Sequence, residues 1–239
     1  MTQQQHPSRT VIPEHRWPVV VTILAALALY AALPSEVLGW QRYLVAGVGG
    51  ALLIPLIAAN PRRFTRYSRS LRSLSVGFAL LLVAVNQVML VRLVILLVDG
   101  ESDGHALLLG ALQVWLVNVI GYATLLWELD RGGPVVRTMR AQSEVPPTEL
   151  RFPQDDMTAT LCSELDDQML ENPRTPAQLT DWTPRFTDYL YSAFSNSMAF
   201  SATDSLPLSG RFKLLLALQA FGGFTILALV IARSVNILS

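Results

Sequence analysis

Leu74 to Val98 reads LSVGFALLLVAVNQVMLVRLVILLV, and Arg92 is its only charge. As an α-helix these residues extend about 37 Å, more than the roughly 30 Å hydrocarbon core of a bilayer. The run is apolar all round and carries no water-facing stripe, which specifies a membrane span. Three neighbours read the same way. Tyr43 to Ala59 is apolar and Gly-rich, ends at the helix stop Asn60-Pro61, and uses Gly47, Gly49 and Gly50 for close helix packing. His105 to Trp127 carries Gln113 and Asn118, with Trp115 and Trp127 as expected interface anchors. Trp17 to Leu33 is uncharged and opens on a Trp and a Pro suited to a first helical turn; it reads as a retained helix rather than a signal peptide. A fifth apolar run begins at Phe212 and reaches Arg233.

Composition agrees. Half of the 239 residues are hydrophobic, 15% are charged, and the mean hydropathy of +0.39 is high for a soluble protein. Eighteen basic residues balance eighteen acidic ones, so no net field points to nucleic acid. Lys213 is the lone lysine, an arginine bias that suggests a GC-rich bacterial genome and hence a multi-pass protein of the bacterial plasma (inner) membrane. Cys162 is alone and forms no internal disulfide; His6, His15 and His105 are too scattered for a metal site. Walker, HExxH, G-x-S-x-G and Cys-x-x-Cys motifs are missing, so neither an enzyme nor a cofactor is expected.

Charge orients the spans. Pro61 to Ser73 contains Arg62, Arg63, Arg66, Arg69 and Arg72 without an acid, whereas the next loop has Asp99, Glu101 and Asp103 without a base. The positive-inside rule places the N-terminus and the arginine loop in the cytoplasm. Arg63, Arg66, Arg69 and Arg72 recur every third residue, but their spacers are half polar, so these arginines are read as contacts to anionic lipid rather than a voltage sensor. Inside the spans, Asn86, Gln87 and Asn118 are candidates for interhelical hydrogen bonds. Arg92 is expected to snorkel towards the acidic loop, with an intramembrane function as the rival reading.

From Gly132 to Arg185 the chain turns Pro-rich and acidic, which reads as an aqueous, cytoplasmic segment. One helix is expected there, capped by Asp155 or Asp156 and stopped at Asn172-Pro173. Its Glu164, Asp167 and Glu171 share a face that reads as solvated rather than metal-binding. Three regions result: a four-helix membrane region 1–131, the acidic segment 132–185, and a region 186–239.

In that last region Asp188 to Ser209, DYLYSAFSNSMAFSATDSLPLS, is too polar for a clear span and too apolar for a water-facing loop. It is read as a short helix that enters the membrane and unwinds, which requires protein or a cavity around it. The stretch resembles the pore of tetrameric potassium-type channels, with Tyr191 to Ser197 as the pore-helix end. The resemblance places Ala199, Phe200, Ser201, Ala202, Thr203 and Asp204 at the filter, preceded by Asn196 and Ser197. Ser205 to Leu208 then matches the turn after the filter, and Gly210 to Arg233 the inner helix with Gly222-Gly223 at a hinge. Ser201 and Thr203 replace both filter glycines, so potassium selectivity does not carry over. A loop entering from the cytoplasm, as in glutamate-receptor channels, or a sixth full span over 188–203, reconciles this unit with the charge rule. The whole chain also resembles bacterial multispan proteins of unknown function that end in a D-x-L-Y…T-D…P segment.

The expected fold is therefore all-α: five transmembrane helices plus a re-entrant or marginal sixth segment. The expected function is a channel-like homo-oligomer in the lipid bilayer, with a cation as its permeant partner and no nucleic acid. The rival readings are a small-solute transporter built on Asn86, Gln87, Arg92 and Asn118, and a membrane scaffold.

Overall fold

The computed structural model describes residues 13–34, 39–60, 62–64, 68–99, 104–140, 144–156, 182–198 and 205–238. Its long helices are α1 (Trp17–Ala31), α2 (Gln41–Ala59), α3 (Arg69–Asp99) and α4 (Gly104–Leu129). A 3-10 turn (Asp130–Gly132) leads into the short α5 (Pro134–Met139). Strand β1 (Leu150–Arg151), α6 (Phe186–Met198), β2 (Leu206–Pro207) and α7 (Gly210–Leu238) follow.

By length and composition four helices are able to cross a membrane: Gln41–Ala59, Arg69–Val98, Ala106–Gly132 and Gly210–Arg233. The first of the five expected spans falls short. Helix α1 has 15 residues, against the roughly 20 that a bilayer core requires. It stops at Ala31 and buries one stripe, Val19, Val20, Ile23, Ala26, Leu27 and Tyr30, at helical spacing.

Helix α4 is the axis of the bundle and packs on α1, α3, α6 and α7. Helix α2 is its opposite: it leans on α1 and α3 and buries only Gly49, Leu53 and Leu56. Of the three glycines expected to pack closely, only Gly49 meets a neighbour, the Leu27 side chain; Gly47 and Gly50 face open space. Pro55 inside α2 has no N–H to give to the Ala51 carbonyl, which loosens this helix further.

Helix α4 ends abruptly. Arg131, Gly132 and Gly133 all have positive φ (52°, 79° and 88°), a left-handed exit that glycine tolerates best. A Cβ on Gly133 would lie 3.0 Å from the Glu128 carbonyl. Pro134 then starts α5 at the position where a missing N–H costs nothing.

Helix α6 runs antiparallel along α4. Near its start Phe186 stacks edge-on against Trp127 (5.8 Å), and two turns later Phe194 meets Trp115 (5.6 Å). The chain then comes back, because Ser205 Oγ lies 2.5 Å from Ser192 Oγ and β2 pairs antiparallel with β1. Helix α7 sets off again in the direction of α6. Gln219 donates to the Ala193 carbonyl (2.8 Å), and Gly223 lies under Ser197, where a Cβ would be 2.9 Å from a backbone oxygen. Gly223 is thus a packing position.

In the acidic segment the helical turn starts at Pro153, two residues ahead of the expected cap. Asp155 sits inside it and reaches back to the Phe152 N–H at 2.9 Å, as the third residue of a capping box does. The remainder of that helix, including Glu164, Asp167 and Glu171, lies outside the described residues.

Candidate functional site

Two polar systems are buried in this apolar bundle. The first is a collar of charge where the N-terminal residues, the α2–α3 connection and the end of α4 meet. Backbone bonds set the meeting point: Arg16 N–H to the Arg62 carbonyl (3.2 Å) and Phe64 N–H to the Glu14 carbonyl (3.4 Å). The Glu14 carboxylate accepts from Trp127 Nε1 at 3.1 Å and from the Phe186 N–H at 2.6 Å. It therefore serves the first turn of α6, whose free N–H groups and dipole favour an anion.

Asp130 is fully buried. It accepts from Tyr189 Oη at 2.6 Å and from the N–H groups of Glu149 (2.9 Å) and Leu150 (3.3 Å), and it pairs with Arg131 Nε at 3.2 Å. One carboxylate thus ties α4, β1 and α6 together. Burial raises the Tyr189 phenol well above its usual range, with Arg137 pulling the other way, so its proton stays on as the donor to Asp130. Arg131 also reaches Asp155 Oδ2 at 2.6 Å.

Arg137 is fully buried as well. It donates to the Trp127 carbonyl at 2.7 Å, lies 3.7 Å from Glu14, and stacks over the rings of Trp127 (5.4 Å) and Tyr189 (5.1 Å). Aromatic faces offset part of the loss of water around a guanidinium. Glu128 accepts from Ser75, and Arg72 donates to the Gly132 carbonyl.

The second system lies deeper and contains no charge. Asn86 Nδ2 donates to Asn118 Oδ1 (3.2 Å), and Asn118 Nδ2 donates to the Gln219 carbonyl (3.4 Å). Asn196 Nδ2 donates to Gln219 Oε1 (3.0 Å) and to the Leu216 carbonyl (2.9 Å). These amides join α3, α4, α6 and α7 through the core. Asn86 Oδ1 is buried without a donor among the described residues. Gln87 bonds the Tyr122 hydroxyl at 2.9 Å.

The other expected site residues separate. Arg92 is exposed on α3, and the described residues give it no polar partner. Arg62 and Arg69 are exposed, Arg63 lies 3.3 Å from His15 Nε2, and Arg72 is turned into the collar. Ser197 donates to the Phe194 carbonyl at 2.8 Å. Arg66, Ala199, Phe200, Ser201, Ala202, Thr203 and Asp204 lie outside the described residues. Trp127, expected as a lipid anchor, is buried in the collar, while Trp115 stacks on α6.

Sequence reasoning missed Glu14, Glu128, Asp130, Tyr189 and Gln219. The available signal was Trp127 to Pro134, WELDRGGP, where two acids close an apolar run just before a Gly-Gly-Pro stop. Acids at the end of a span require buried partners, and the arginines beside them supply those.

No protein-family model, curated protein or solved structure matches this chain. By the length and composition of its helices the chain is an all-α integral membrane protein of the multi-pass kind.

Proposed function

We propose that this protein is one subunit of a channel-like oligomer in which the unit α6–β2–α7 borders a path for cations. The observation that supports the reading is the shared direction of α6 and α7. Both start at the collar, and the chain between them returns to it through Ser205 and β2. A short helix, a returning segment and a long helix in that order make up the pore unit that the residues from Asp188 to Arg233 resemble. In this reading α6 enters the membrane without crossing it. The amide ladder holds α6 on α7, and the collar holds its base on α4. The resemblance assigns Asp204 to the mouth, where a ring of carboxylates from several subunits would attract cations.

Purified protein in planar bilayers tests this. Cation current is expected, and Asp204→Asn should reduce it while expression stays normal. A strictly monomeric protein that passes no ions would remove the channel reading.

A further inference from the structure

Three cavities follow one another along the seam between α2 and α3, with α1 behind them. The outermost, about 50 Å³, is walled by Arg16, Asn60, Ser68, Arg72, Ser75 and Glu128. The next, about 20 Å³, shares Arg16, Leu56, Phe64, Ser75 and Glu128 with the first and is walled beyond them mainly by apolar side chains of α1, α2 and α3. The third, about 90 Å³, shares Phe78 with the second and is lined by Leu44, Val48, Gly49 and Val85. The seam is thus polar and cationic at one end and apolar along the rest, which is the shape of an amphiphile rather than of a soluble ion.

The polar end is constructed and not incidental. Arg16 is only 5% exposed. One of its amino groups donates to the Asn60 carbonyl at 2.9 Å and its guanidinium stacks over Phe64 at 5.2 Å, yet its Nε finds no acceptor among the described residues. A buried donor without an acceptor is destabilising, so it marks a place where an acceptor belongs. Two guanidiniums face one carboxylate across this cavity, and that carboxylate already takes the Ser75 hydroxyl. The local excess of one positive charge suits a ligand with one negative charge. A phosphodiester has one; a phosphate monoester carries closer to two. Helix α2, with few buried residues and the interrupted bond at Pro55, is the wall best able to part and admit a chain.

We infer that the α2–α3 seam binds an anionic phospholipid, its phosphodiester between Arg16 and Arg72 and an acyl chain along Leu56, Phe78 and Val85. This inference is independent of the channel reading and survives its failure.

The test uses the full-length protein in detergent, titrated with phosphatidylglycerol, phosphatidylcholine or inorganic phosphate. Binding is read by native mass spectrometry and Tm by tryptophan fluorescence. Phosphatidylglycerol should bind about tenfold more tightly than phosphatidylcholine, whose phosphodiester is neutralised by its own trimethylammonium, a group the two arginines repel. Arg16→Gln and Arg72→Gln should each weaken it about tenfold, the worth of one charge-assisted contact. Ala59→Phe keeps both arginines and fills the polar cavity, so it should abolish tight binding in a folded protein. Arg42→Gln, at the far end of α2, should change nothing. Unaltered binding in Ala59→Phe overturns the inference even where the arginine variants fail to fold. Equal affinity for the two lipids overturns it too. A rise in Tm from inorganic phosphate as large as that from phosphatidylglycerol overturns it in favour of a free-anion site.

Discussion

Asn118 and Asp130 are twelve residues apart on one continuous helical path, about 18 Å at 1.5 Å per residue, and both are fully buried. Asp130 has three donors, two of them backbone N–H groups, and a cationic partner at 3.2 Å. Asn118 has one amide on each side. The contrast teaches where a membrane protein can keep charge. An ion must be surrounded completely, and that requires loops, strands and helix ends, which exist only beyond the apolar spans. Within the spans the backbone is already bonded to itself, so only neutral amides are economical there.

Four tests break or sharpen this comparison. The largest effect is expected at Arg137. Arg137→Met strips Glu14 of its cation and should cost about 3–5 kcal/mol, seen as a much lower Tm in detergent. The pair Glu14→Gln/Arg137→Met should recover much of that loss. If the double variant is no better than the single one, the collar is not an ion-pair network. Next is Gly223→Ala, which sets a Cβ 2.9 Å from the Ser197 carbonyl. It should cost about 1–3 kcal/mol by overpacking, whereas Gly222→Ala meets only the tip of Leu90 and should cost less. Equal Tm values for the two would contradict the seating of α6 on α7. Asn118→Leu should cost about 1 kcal/mol, within the range of hydrogen bonds in membranes; a loss as large as that of Arg137→Met would erase the distinction between the two systems. The smallest effect belongs to Arg92→Leu. With an exposed side chain and no partner among the described residues, it should change stability by less than about 0.5 kcal/mol. A collapse of ion flux in that variant would put Arg92 back into the mechanism.

What the sequence disclosed follows the range of each interaction. The runs at Tyr43, Leu74, His105 and Phe212 are local facts of hydropathy, and all four appear as helices long enough to cross a membrane. The stop at Asn60 is local too, and α2 ends at Ala59. Trp17 to Leu33 is apolar to its end, but its backbone leaves the helix at Ala31, so this helix is shorter than the other four. The collar was invisible for another reason. Glu14 and Phe186 are 172 residues apart, and neither periodicity nor spacing links a carboxylate near the start of a chain to a helix near its end. The amide ladder was half legible: Asn86 and Asn118 stood out in apolar runs, while Gln219 did not, since its partners arrive from α6.

The rings of Phe152 and Trp182 meet edge-on at 5.9 Å, and Phe152 also packs on Tyr189 at 5.2 Å. Residues 152 and 182, at the two flanks of the acidic segment, thus meet at one point, on the ring whose hydroxyl holds Asp130. The anchorage of that carboxylate therefore depends on both flanks at once, like a clasp that needs its two halves.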